Sequence, residues 1–146
     1  MLADEWRDLY HNCAAATPFQ SWEWLYSWWE HHGAGRALRL VTLREREGGT
    51  LVGLMPLMIE RRPGFGRLLL FLGTGITDHL DILARSGWEN EVALTGTSVL
   101  REMGSWDVAD LQELRPEALA WDLFERWTGY KAQAKQSRCP VLPVMS

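Results

Sequence analysis

Between residues 38 and 72 the side-chain period is two, and this stretch constrains the fold more than any other. Leu38, Leu40, Thr42 and Arg44 alternate against Arg39, Val41 and Leu43. Gly48-Gly49 makes a turn, and residues 51–60 read as a second strand, so the pair forms a hairpin. Residues 61–66 supply another turn. Residues 67–72 form a third strand, whose run of Leu and Phe predicts burial on both faces. Pro56 lies inside the second strand. Proline cannot donate to a ladder, so it should sit at a bulge or where its missing N–H would face no partner.

The flanks have helical period. Trp6, Leu9, Tyr10 and Cys13 share one face, with Asp4 and Glu5 in the first turn. Thr17-Pro18-Phe19-Gln20 has capping-box form, and Ser21 is an alternative cap for a helix carrying Trp24, Leu25, Trp28 and Trp29, with Gly33 as its C-cap. After a loop over residues 73–87, a helix over 89–103 presents Val92, Gly96, Val99 and Met103. Gly96 weakens it slightly. A short strand over 106–111 follows. Pro116 opens a helix with Leu119, Leu123, Phe124 and Trp127 inward, and residues 130–138 read as a polar edge strand. Cys139-Pro140-Val141-Leu142-Pro143 is extended. The order is ααβββ-αβαβ. It predicts an α/β (α+β) domain over 1–146: a mixed sheet, antiparallel in its N-terminal portion, with helices on both faces. A right-handed helical crossover should bring the fourth strand parallel to the third.

Composition narrows the function. A chain of 146 residues, 47% hydrophobic, suits one domain. Fifteen basic against nineteen acidic residues give a net charge of −4, with no basic stripe for nucleic acid. The acidic N-terminus does not resemble a signal peptide, and the longest apolar run, residues 68–72, is too short to span a bilayer. Cys13 and Cys139 read as reduced thiols of a cytoplasmic protein. No Cys/His cluster suggests a metal, and His31-His32 lacks a third ligand nearby. Of nine Trp, four fall at 22, 24, 28 and 29. That helix reads either as a stacking platform for a glycan ring or as core and interface to a partner.

Thr17-Pro18-Phe19-Gln20-Ser21 with Trp24 and Trp28-Trp29, Leu54-Met55-Pro56-Leu57, residues 71–81 (Phe-Leu-Gly-Thr-Gly-Ile-Thr-Asp-His-Leu-Asp) and Cys139-Pro140 together resemble the N-terminal half of CelD-like proteins. These are GNAT-like (N-acetyltransferase-like) proteins linked to cellulose and exopolysaccharide biosynthesis, and the element order is similar to the GNAT fold. The resemblance implies the N-terminal lobe of a two-lobed N-acyltransferase. It implies acetyl-CoA or another acyl-CoA as donor for the complete protein, with none firmly expected on this chain. It also implies a second GNAT-like lobe, or a second copy, packed through the Trp-rich helix, and a small-molecule or glycan acceptor.

GNAT enzymes hold the CoA pyrophosphate on a [Gln/Arg]-x-x-Gly-x-[Gly/Ala] loop that opens a helix. Residues 61–66 match those letters but precede a strand, so they read as a hairpin turn. The corresponding position is Leu70-Phe71-Leu72-Gly73-Thr74-Gly75, with Leu70 where Gln or Arg belongs and Asp78 and Asp81 close by. Asp78, His79 and Asp81 form the one polar constellation. His79 could act as general base with Asp78 orienting it, while Gly73, Gly75, Asp81 and Trp24 bind substrate. The competing reading has the carboxylates capping loop amides and His79 incidental. The leading expectation is an acceptor-binding lobe of an acyltransferase; the alternative is a non-catalytic glycan- or partner-binding module.

Overall fold

A computed structural model describes residues 1–135. Helix α1 (Leu2–His11) buries Trp6 and Leu9. The two cap signals that follow are both used, by successive elements. Gln20 Oε1 accepts the Thr17 N–H at 2.7 Å and its hydroxyl at 3.1 Å, closing a 3-10 turn over Pro18–Gln20. Ser21 Oγ then accepts the Trp24 N–H at 3.3 Å and caps α2 (Trp22–His32). Gly33 ends α2 in right-handed conformation. A Cβ there would fall 2.6 Å from the Trp29 ring, so close packing, not a left-handed turn, accounts for this glycine.

Strands β1 (Ala37–Arg44), β2 (Leu51–Arg62) and β3 (Gly66–Phe71) form an antiparallel meander. Helix α3 (Glu89–Met103) leads to β5 (Val108–Ala109), which lies parallel to β3. Strand β4 (Leu83–Ala84) pairs with β2, and α4 (Ala120–Arg126) follows β5. The sheet order is β1-β2-β3-β5 with β4 on β2, an open mixed sheet of α+β class.

Alternation sorts the two faces. Val41, Met55, Leu57, Ile59, Leu69 and Phe71 point toward α3 and α4, where they meet Val92, Leu100, Ala120 and Leu123. Leu54, Met58, Leu68, Leu70 and Leu72 point the other way, onto Trp6, Leu9, Leu25 and Trp28 of α1 and α2. Because both faces are covered, β2 from Leu51 to Ile59 and β3 from Leu68 to Phe71 are buried without a break. Gly96 faces Met55 Sδ, 2.9 Å from where its Cβ would be, so its smallness serves helix–sheet packing.

Several expectations are corrected. The register shift falls at Leu43/Arg44, not at Pro56. Pro56 instead sits where the neighbour of β2 changes: β3 pairs from Leu57 onward, β4 pairs at Gly53 and Leu54. The Pro56 carbonyl accepts the Leu72 N–H at 2.9 Å, and its missing N–H closes that ladder. The 73–87 segment is not all loop, since β4 and its neighbours at 80–84 are buried. The strand expected over 106–111 is only two residues long and exposed. Asp107 accounts for its late start: its carboxylate takes the Arg67 backbone N–H at 2.8 Å, a role a strand carbonyl would otherwise fill. Helix α4 begins at Ala120, after a turn that starts at Pro116. Residues 130–135 carry no strand, and the remainder of the expected 130–138 strand lies, with Cys139-Pro140, outside the described residues.

Candidate functional site

Strand β3 ends at Phe71, and the chain leaves the sheet through Gly73 at φ 102. A Cβ at Gly73 would lie 3.0 Å from Thr77 Oγ1 and 3.2 Å from both Leu25 Cδ2 and Leu80 Cδ2, so only glycine meets both demands. Thr74 Oγ1 donates back to the Phe71 carbonyl at 2.7 Å, and Gly75, also left-handed at φ 108, is exposed at the tip. The segment re-enters at Thr77, which is 2% exposed. Its hydroxyl oxygen accepts the Trp24 indole N–H at 3.0 Å. One hydrogen bond therefore fixes the Trp-rich helix to the glycine loop and holds the Trp24 indole at the surface, 39% exposed.

Phe19 extends this edge. Its ring meets Trp24 edge-on at 5.4 Å and His79 at 6.2 Å. His79 is half-buried, with φ 58, and its carbonyl oxygen lies 3.4 Å from the Thr17 hydroxyl oxygen. Left-handed non-glycine residues are uncommon and mark local constraint. Asp78 is exposed beside it, and Ile76 is 64% exposed. The expected residues Gly73, Gly75, Asp78, His79 and Trp24 thus gather on one edge. Phe19 and Thr77 join them unforeseen, although both lie within the sequence blocks that carry the resemblance.

Asp81 is elsewhere in role. Its side chain is buried, and its carboxylate accepts three backbone N–H groups. Oδ1 takes Ile82 at 2.8 Å and Ala120 at 2.9 Å, and Oδ2 takes Leu119 at 2.8 Å. It holds the start of α4 and the entry to β4 together, as the amide-capping reading describes. Burial pushes its pKa above the ordinary Asp value; the amides and the Arg115 charge pull it back only in part. Among the described residues no carboxylate hydrogen-bonds the His79 ring, so an acid–base pair with Asp78 is not assembled here.

The Gly73-Thr74-Gly75 turn does not open a helix, because α3 starts only at Glu89, with Glu89 and Glu91 in its first turn. Residues 62–65 turn between β2 and β3, with the Phe65 N–H donating to the Arg62 carbonyl at 3.1 Å, so the Arg61–Gly66 letters serve a hairpin. The two readings of the Trp-rich helix divide between its faces. Leu25 and Trp28 are core, Trp22 stacks on Tyr26 at 5.1 Å, and Trp24 is left for the surface. His31 Nδ1 lies 2.7 Å from the Ser27 carbonyl. Cys13 is half-buried. Among the described residues no helix is long and apolar enough to cross a membrane.

Comparison of the chain with models of known families, with curated proteins and with solved structures finds no match. The fold and this edge are therefore the ground for a functional reading.

Proposed function

We propose that the chain is an acceptor-binding lobe of a GNAT-like, CelD-like N-acyltransferase, and that it does not carry the transfer step itself. The observation behind this reading is the Trp24 indole, tethered to Thr77 and half-exposed over the glycine turn at the carboxyl end of β3. Ligands of open α/β sheets gather at such strand ends. A fixed indole face beside His79 and Asp78 offers a ring to stack on and polar groups for hydroxyls or an amine, as a sugar acceptor requires. The Gly73-Thr74-Gly75 turn offers acyl-CoA neither a helix N-terminus nor a basic side chain, so the donor belongs with a second lobe.

Calorimetric titration tests this directly. Glucosamine and related amino sugars should bind, and binding should fall in Trp24→Ala and His79→Ala while acetyl-CoA gives no tight complex. A micromolar acetyl-CoA dissociation constant, about −8 kcal/mol, would overturn the division of labour. Absence of binding by any amino sugar or hexose would overturn the acceptor role. A second reading, a partner-docking module, draws on Trp24, Tyr26 and Ile76, which are 39%, 48% and 64% exposed. Self-association abolished by Tyr26→Ser and Ile76→Ser, without sugar binding, would favour it.

A further inference from the structure

The opposite end of the sheet holds a cleft of about 400 Å³ that the acceptor edge does not use. It follows from strand alternation. Arg39, Ile59, Arg61 and Arg67 occupy the positions that continue the Val41, Leu57 and Phe71 face toward the N-terminal end of β3. Helix α3 shields this face only as far as Met103. Beyond it the sheet lies open, and these side chains line the cleft with Arg36 and Ser105.

The charges do not balance locally. The register sets Arg61 directly opposite Arg67, a like-charge cross-strand pair that disfavours the sheet. Asp107 grips Arg67 through two hydrogen bonds, Nη2 to Oδ1 at 2.9 Å and Nε to Oδ2 at 3.1 Å. Glu60 takes Arg36 at 2.7 Å and also Arg62 at 2.6 Å. Among the described residues, Arg39 donates to the Leu38 carbonyl, and Arg61 makes no direct carboxylate hydrogen bond, only a longer-range attraction to Asp107. Four guanidinium groups thus face two carboxylates in a chain whose net charge is −4. Ser105 also lines the cleft, and its Oγ is buried without a hydrogen-bond partner among the described residues.

We propose that this cleft binds the phosphomonoester group of a small phosphorylated molecule. Unpaired guanidinium groups converging from adjacent strands match a dianion with three terminal oxygens, which accept several charge-assisted hydrogen bonds at once. The volume exceeds what a phosphate alone needs and lies in the range of small-ligand sites, and Ile59 gives an apolar floor for the organic part. The site stands at the far end of β3 from Gly73 and does not depend on the acceptor reading.

The test titrates the whole chain with inorganic phosphate and with glycerol 3-phosphate at constant ionic strength, followed by amide chemical shifts. Saturable shifts are expected around Arg39, Arg61 and Ser105. Arg61→Gln and Arg39→Gln should each weaken binding about tenfold or more, the loss of one charge-assisted contact. Arg46→Gln, in the β1–β2 turn, should bind as the parent does. Circular dichroism should show every variant folded, because Arg61 carries no structural bond. Non-saturable shifts, equal binding by Arg61→Gln, or an equal response to sulfate would overturn the proposal. Flotation with vesicles containing phosphatidic acid, without a response to the soluble esters, would put the phosphomonoester on a lipid and overturn the small-molecule assignment.

Discussion

Removing the Asp81 carboxylate should release α4 from the sheet. Three backbone N–H groups depend on it, those of Ile82, Leu119 and Ala120, at 2.8 to 2.9 Å. A buried donor left without an acceptor costs about 1–3 kcal/mol. Ile82 and Ala120 are buried, whereas Leu119 is half-buried and can turn to water. Two buried orphans cost about 2–6 kcal/mol, and freeing a buried charge offsets part of that. Asp81→Ala should therefore lose about 3 kcal/mol, which at this size lowers Tm by roughly 10 °C. Asp81→Asn can keep the two Oδ1 bonds but turns an NH2 group toward the Leu119 N–H, for about 1–2 kcal/mol. Urea unfolding gives the energies, and hydrogen exchange at Leu119 and Ala120 localises them. Stability within about 1 kcal/mol of the parent, with unchanged exchange at both amides, would refute the capping argument. The pH dependence adds a second check. Burial holds the folded pKa of Asp81 above the ordinary 3.8, so the folded chain binds that proton more tightly than the unfolded one. The resulting stability is fully present below the ordinary value and is lost as pH rises through the folded pKa. Asp81→Asn does not titrate there, so its deficit should narrow as pH rises above the ordinary Asp value. A deficit that widens would contradict the assignment.

Other outcomes follow from single residues. Gly53→Ala would set a Cβ 2.7 Å and 2.9 Å from the two Val92 methyls and 3.3 Å from Leu43 Cβ, and should cost about 1–3 kcal/mol in urea unfolding. Gly96→Ala meets only the movable Met55 thioether and gains helix propensity, so it should stay within about 1 kcal/mol of the parent. His79 holds φ 58, and His79→Gly should therefore exceed His79→Ala in stability by about 1 kcal/mol; the reverse order would mean that the left-handed conformation is not maintained. Asp107, held by the Arg67 side chain and backbone N–H, should titrate at about 2 in a carboxyl NMR titration, and Arg67→Gln should move it back up. Its lowered pKa stabilises the fold above the ordinary Asp value, and that contribution disappears as pH falls through about 2.

The elements legible in the sequence are those that local chemistry fixes. The α3 span from Glu89 to Met103 is legible from its apolar face at Val92, Gly96, Val99 and Met103, and the β1–β2 hairpin from its alternation and Gly48-Gly49. What escaped depends on distant partners. Strand β4 is two residues long and exists because β2 offers an edge at Gly53 and Leu54. Asp81 looks like a surface carboxylate beside Asp78 until amides 38 and 39 positions downstream close on it. The Trp24 edge is partly legible because Trp24 and residues 73–81 each stand out in the sequence; their joining through Thr77 comes only from the fold. The arginine cleft was hidden because its members are dispersed in sequence and meet only through strand register.

Pro56 has a consequence for how far the glycine loop can reach. Strand pairing tends to propagate like a zip, and the last rung between β2 and β3 is the Leu72 N–H on the Pro56 carbonyl. With any other residue at 56, a backbone N–H would face the Leu72 carbonyl and complete that rung. Only that one rung is open, because β4 already holds β2 at Gly53 and Leu54. Pro56 therefore marks the point at which the glycine loop leaves β2.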